Sequence, residues 1–165
     1  MNYRYENDEL LPPWHDLIHS VKSIVIDDGV TSIGDQAFRL CDQAMNVTIP
    51  DSVTSIGSVA FFRCDSLTEI TIPDSVTIIK AFAFQRCYNL KTITLPGSLE
   101  TIEANAFSEC PELSALLLPE SITSIHQDNF WECPKLTLTV VKGSYAEEYC
   151  RTNNLTYQYI EDKSD

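Results

Sequence analysis

The sequence predicts an α/β repeat solenoid, with short parallel strands on one side of each coil and loops or short helical turns on the other. Three observations predict it: a 23-residue period, a proline closing most strands, and apolar residues falling into fixed columns. Leu67, Leu90, Leu113 and Leu136 stand 23 apart, and the same step taken backwards reaches Ala44 and Val21. The chain parses into five units, 21–43, 44–66, 67–89, 90–112 and 113–135, with a partial sixth from Leu136.

Each unit opens on L-x-x-I-x-I, as in Leu67, Ile70 and Ile72 or Leu113, Leu116 and Leu118. Alternation at the fourth and sixth places marks a short strand with one buried face. Pro50, Pro73, Pro96 and Pro119 follow at once, and a residue without an amide hydrogen stops the ladder there. A turn through Ser52, Ser75, Ser98 and Ser121 returns the chain to the core at Val30, Val53, Val76, Leu99 and Ile122. Three residues on stand Ile33, Ile56, Ile79, Ile102 and Ile125. Ala-Phe pairs come next, at 37–38, 60–61, 83–84 and 106–107, with Asn129-Phe130 departing from the pattern. Cysteines 41, 64, 87, 110 and 133 close the units. One unit cannot enclose these side chains, but stacked units cover one another. At roughly 1.5–3 kcal/mol per large buried side chain, burial outweighs ordering only when both faces are covered.

Exposed ends of such a stack need caps. Residues 1–20 are read as an N-terminal segment ending in a capping helix. Pro12 or Pro13 suits its first turn, and Trp14, Leu17, Ile18 and Val21 share one face. Residues 136–165 are read as the partial repeat, a cap helix, a strand and a frayed tail. Ser144 and Glu147 form a capping box for a helix running to about Arg151, Asn153-Asn154 stops it, and "LTYQYI" is the final strand.

The pattern L-x-x-I-x-I-P-x-S-V-x-x-I-x-x-x-A-F-x-x-C resembles the 23-residue BspA-like subclass of leucine-rich repeats over residues 21–135. "KGSYAEEYCRTNNLTYQYI" (142–160) is similar to the cap that ends such arrays, and "PPWHDLIHSVKSIVIDDGVTSIG" to their usual beginning. The resemblance implies a right-handed leucine-rich repeat solenoid. It also implies secreted or surface-attached proteins that contact host proteins, matrix proteins or other cells. The opening "MNYRYENDELLPPW" lacks a basic segment followed by a hydrophobic stretch, so no signal peptide is read there, and a cytoplasmic location stays open.

A net charge of −13 disfavours nucleic acid and anionic membrane surfaces, and no apolar run reaches the ~18 residues of a membrane span. Six cysteines could form three disulfides, but five share one column. A step of about 4.8 Å between coils keeps their Cβ atoms beyond the ~3.8 Å a disulfide prefers, so buried free thiols are expected. His15 and His19, four apart, lack a recognisable third ligand, and His126 is read as solvated. Serines 52, 75, 98 and 121 recur with the period as turn residues do, whereas a nucleophile would be singular. Asp28, Asp51, Asp74 and Glu120 form an acidic ladder, read as a solvated edge in preference to weak calcium binding. No cofactor, metal or catalytic residue is assigned, and a non-enzymatic protein-binding module is expected.

Two surfaces are candidates for a protein partner. Strand residues facing away from the core include Asn46, Thr48, Glu69, Thr71, Thr92, Thr94 and Leu117, with a hydroxyl ladder at Thr48, Thr71 and Thr94. Threonine also suits strands intrinsically, so a merely soluble sheet face is the plain alternative. Val59, Phe62, Phe82, Tyr88 and Trp131 sit at variable places, where stacking does not demand them. If the segment after the isoleucine is helical, Val59 and Phe62 lie beside Phe82 of the next unit. All five are assigned to a convex apolar patch, with partial burial under neighbouring loops as the plain alternative. A structural spacer within a larger surface protein is a further alternative, and glycan binding ranks low because the strand face lacks aromatic platforms.

Overall fold

The computed structural model describes residues 4–6, 9–11 and 14–160. Strands β1 (Arg4–Glu6) and β2 (Glu9–Leu11) pair antiparallel ahead of the stack. Each coil then contributes a three-residue strand and a two-residue strand. The longer ones are β3 (Ser23–Val25), β5 (Asn46–Thr48), β7 (Glu69–Thr71), β9 (Thr92–Thr94) and β11 (Ala115–Leu117). The shorter ones are β4 (Ser32–Ile33), β6 (Ser55–Ile56), β8 (Ile78–Ile79), β10 (Thr101–Ile102) and β12 (Ser124–Ile125). The chain ends in β13 (Thr137–Val140), α1 (Tyr145–Thr152) and β14 (Tyr157–Tyr159).

All inter-coil pairing is parallel and in register, with Ile24 beside Val47, Ile70 beside Ile93 and Leu116 beside Leu138. The longer strands form a two-stranded sheet, β3-β5, and a five-stranded one, β7-β9-β11-β13-β14. The shorter strands form a continuous second sheet, β4-β6-β8-β10-β12. Its signal in the sequence was the β-branched or hydroxyl residue before each second isoleucine, as in Ser55-Ile56 and Thr101-Ile102.

Between the two sheets runs the core. Phe38, Phe61, Phe84, Phe107 and Phe130 stack face to face with centroids 5.1–6.2 Å apart. Each later cysteine points its thiol at the phenylalanine carbonyl of the preceding coil: Cys64 to Phe38, Cys87 to Phe61, Cys110 to Phe84 and Cys133 to Phe107. All six cysteines are buried and free. The column therefore combines a small apolar volume with a weak donor.

After each second strand comes a run of tight turns instead of the helical turn weighed from sequence. Gln36, Phe38 and Leu40 each donate an amide to the next coil, at Ser58, Ala60 and Phe62, across 2.8 Å. The intervening amides of Ala37, Arg39 and Cys41 turn back three residues, at 3.2 Å. A helix would use every amide within the segment, whereas here half of them tie neighbouring coils together. The geometry places Gln36 and Leu40, Val59 and Arg63, Phe82 and Arg86, and Asn105 and Glu109 at φ of 55–64°. For residues other than glycine that conformation costs roughly 1–2 kcal/mol each, which the inter-coil ladder offsets.

The first cap differs from expectation. Residues His15–Ser20 form a 3₁₀ turn, with Trp14 at its N-cap position, and Pro12 and Pro13 lie outside the described residues. With three residues per turn, Ile18 and Val21 share a face and Leu17 swings out to 59% exposure. Trp14 does cover the stack. It lies over Phe38 at 5.6 Å, and its indole Nε1 donates to the Ala37 carbonyl at 2.9 Å. In the next coil the matching carbonyl, Ala60, takes the Phe38 amide, so the indole replaces the donor of a missing coil.

At the far end Ser144 Oγ accepts from the Glu147 amide, and Glu147 reaches back to the Gly143 amide. That bond, followed by one from the Tyr159 hydroxyl, holds the Glu147 carboxyl below the usual carboxylate range. Tyr149 meets Phe130 edge-on at 6.2 Å and donates to the His126 carbonyl. The tail 161–165 lies outside the described residues.

Candidate functional site

Strands β5, β7 and β9 hold the outward side chains of Asn46, Thr48, Glu69, Thr71, Thr92 and Thr94, all exposed. Register puts Glu69 beside Thr92 and Thr71 beside Thr94. These residues line a shallow groove of about 320 Å³, floored by Val47 and Ile70. Leu117 lies further along the face on β11 and is 48% exposed, and Val25 on β3 closes the other end as a second exposed apolar residue. The positions are set by pleat alternation: Ile70 and Ile93 face inward, so their neighbours must face out.

The turn side carries a mixed surface. Val59 and Phe82 occupy the same place in adjacent coils, joined by the Val59 amide to the Ala81 carbonyl at 2.9 Å. Phe62 is half-buried because the Arg86 guanidinium lies over its ring at 5.8 Å. Tyr88 faces Arg63 at the same distance. Arg86 also binds Glu109 at 2.8 Å, and Arg63 reaches Asp65 at 3.3 Å. Trp131, 57% exposed, stands three coils from Phe62, with Gln85 and Ser108 between them in that column. The structure thus gathers Val59, Phe62, Phe82 and Tyr88 into an aromatic and guanidinium surface and leaves Trp131 apart. The arginines were missed from sequence, although Arg63 and Arg86 stand one period apart at the same turn position.

The other chemistry-bearing residues are absorbed by the stack. Ser52, Ser75, Ser98 and Ser121 donate to the Val30, Val53, Val76 and Leu99 carbonyls, each in the preceding coil. Asp28, Asp51, Asp74 and Glu120 are exposed. His19 pairs with Asp42 at 2.9 Å, and His126 is exposed with Asp128 at 3.7 Å. Among the described residues no group of three or more His, Cys, Asp or Glu could hold a metal ion. No described helix is long and apolar enough to cross a membrane. Burial raises every thiol: Cys41, Cys133 and Cys150 to about 11, and Cys64, Cys87 and Cys110 further still. A thiol held protonated is a poor nucleophile.

Parallel strands at a 23-residue period, a stacked phenylalanine column and tight turns define a leucine-rich repeat solenoid. The BspA type Leucine rich repeat region matches residues 17–137 in six copies, and the chain belongs to that family. A leucine-rich repeat protein of T. pallidum is 33% identical, over 72% of this chain and 59% of its own, with a TM-score of 0.68. A leucine-rich repeat protein from Bacteroides ovatus shares the fold, at 24% identity over 84% of this chain and 43% of its own, with a TM-score of 0.64. This chain therefore spans less than two thirds of either relative's length. No curated protein matches it. Leucine-rich repeat domains generally mediate protein interactions and are generally not enzymes.

Proposed function

We propose that this chain is a non-enzymatic protein-binding module of a surface or secreted protein, and that its strand face meets the partner. The observation that carries this reading is the presentation of Glu69, Thr71, Thr92 and Thr94 on β7 and β9, which pair in register, with Asn46 alongside on β5, which pairs with β3. Side chains on a locked backbone lose little freedom at binding, so more of the contact energy appears as affinity. An adhesive role follows if the partner belongs to another cell or to matrix.

The test is surface plasmon resonance of the full chain against a panel of purified extracellular-matrix proteins. The variant Glu69→Ala/Thr71→Ala/Thr94→Ala is expected to lose at least tenfold in affinity for whichever protein the wild type binds. Undiminished binding by the variant rejects the strand face. The convex residues Val59, Phe62, Phe82 and Tyr88 are a second contact surface. They are favoured by the aromatic residues Phe82 and Tyr88 staying 37% and 38% exposed on the turn side.

A further inference from the structure

One column on the turn side reads Arg63, Arg86, Glu109 and Glu132 through coils two to five. All four residues sit at φ of 55–61°, so the backbone presents each one in the same way. The two cations precede the two anions, and the order is antisymmetric about the midpoint between coils three and four. The neighbouring column is aromatic at both ends, with Phe62 in coil two and Trp131 in coil five, and has Gln85 and Ser108 between them.

From this self-complementary order, we propose that two copies of the chain associate through their turn sides, antiparallel, across a two-fold axis at that midpoint. Turning the column end for end lays Arg63 against Glu132 of the second copy and Arg86 against Glu109. Both contacts occur twice, as an isologous interface requires. A parallel arrangement would set like charges against each other, which the pattern excludes at a cost of several kcal/mol. The same rotation carries coil two, with Phe62, over coil five, with Trp131, and covers the exposed indole. Arginine and aromatic side chains are the types that dominate interface energies.

At the outer positions little has to be given up to form these contacts. Arg63 is 44% exposed and pairs within its own chain only at the surface, with Asp65. Arg86, 43% exposed, is shared between Glu109 and the Phe62 ring. The exposed Arg63–Asp65 pair is worth about 0–1 kcal/mol, so its exchange for Glu132 of the second copy is cheap. Glu109 is only 14% exposed and is also bound by Gln85 Nε2 at 2.9 Å, so Arg86 and Glu109 keep their bond within the chain beside the axis and the outer Arg63–Glu132 pairs carry the association. The strand face lies on a different side of the coil and stays open, making the dimer bivalent toward a partner.

Sedimentation equilibrium of the full chain tests the proposal. The wild type is expected to dimerise reversibly and to weaken as salt rises, because the pairs are screened. Arg63→Glu and Glu132→Arg should each dimerise at least tenfold more weakly alone, with unchanged circular dichroism. An equimolar mixture should regain wild-type affinity as a dimer of one chain of each, because the mixed pair restores both Arg–Glu contacts. A wild type that stays monomeric at millimolar concentration overturns the proposal. So do variants that dimerise undiminished, which would point to another surface such as the open edge of β3, and so does a mixture that fails to re-pair.

Discussion

The third and fifth coils carry the same pattern but are held by different means. From coil three to coil four, Phe82, Phe84 and Arg86 donate amides to the Ala104, Ala106 and Ser108 carbonyls. From coil four to coil five, only the last rung of that ladder is kept, from Glu109 to Trp131 at 2.7 Å. In place of the others, the buried side chain of Asn129 spans the gap. Its Oδ1 accepts from the Ala106 amide at 2.9 Å, and its Nδ2 donates to the Ile102, Glu103 and His126 carbonyls at 2.8–3.3 Å. Coil three has Ala83 at that place, fully buried. A methyl group suffices where backbone meets backbone, and a carboxamide is needed where the ladder opens.

Replacing Asn129 with the residue of the repeat is the sharpest way to break this contrast. Asn129→Ala restores the period, yet it strands several buried polar groups and should destabilise the protein by about 2–4 kcal/mol. Urea unfolding followed by circular dichroism measures it, and an unchanged or raised midpoint would show that the carboxamide is dispensable. The reciprocal change in coil three, Ala83→Asn, should also destabilise, because no open carbonyls wait there and the pocket is full.

A smaller effect concerns the turns themselves. Coil four places Asn105 at the positive-φ position where coil two has Val59. Val59→Asn is expected to stabilise by about 1 kcal/mol through relief of β-branched strain, partly offset by lost apolar contact. A lower midpoint would mean that Val59 packs more than its half-buried side chain indicates.

The smallest effect separates the coils by their thiols. Folded values lie above the ordinary 9.0, at about 11 for Cys41, Cys133 and Cys150 and higher for the enclosed middle thiols. The folded state thus keeps its protons longer than the unfolded chain. The thiol contribution to stability is whole below about pH 9 and drains as pH rises through 11. Labelling with a maleimide should find six reactive thiols in denaturant and almost none in the native protein at pH 8. As pH approaches 11, Cys133 and Cys150 should react before Cys64 and Cys87. Reaction of Cys64 first would contradict the burial order.

Much of this architecture was legible beforehand, because a buried column leaves its period in the chain. Ile24, Ile70 and Ile93 fell in single file beneath the strands, the serine ladder proved to be a turn device, and the cysteines are free. The candidate strand face was legible for the same reason, since alternation assigns outward positions without knowledge of the partner. The cap at Trp14 was legible in role but not in form, because a 3₁₀ turn and an α-helix share similar spacings over six residues. Asn129 stood out as a departure, while its four hydrogen bonds lie with groups 3 to 27 residues away that no local pattern connects.

The sequence by itself determined which side chains stack, because burial selects apolar residues and stacking repeats that selection every 23 places. It likewise determined the order of charges down the turn-side column across the coils, Arg63, Arg86, Glu109 and Glu132. Only the tertiary structure decided how the turns are wound. Gln36, Val59 and Phe82 adopt positive φ against their intrinsic preference, because alternate amides find their acceptors in the adjoining coil, 22 residues ahead. A backbone whose partners are that distant takes its conformation from the neighbour it bonds, not from its own residues.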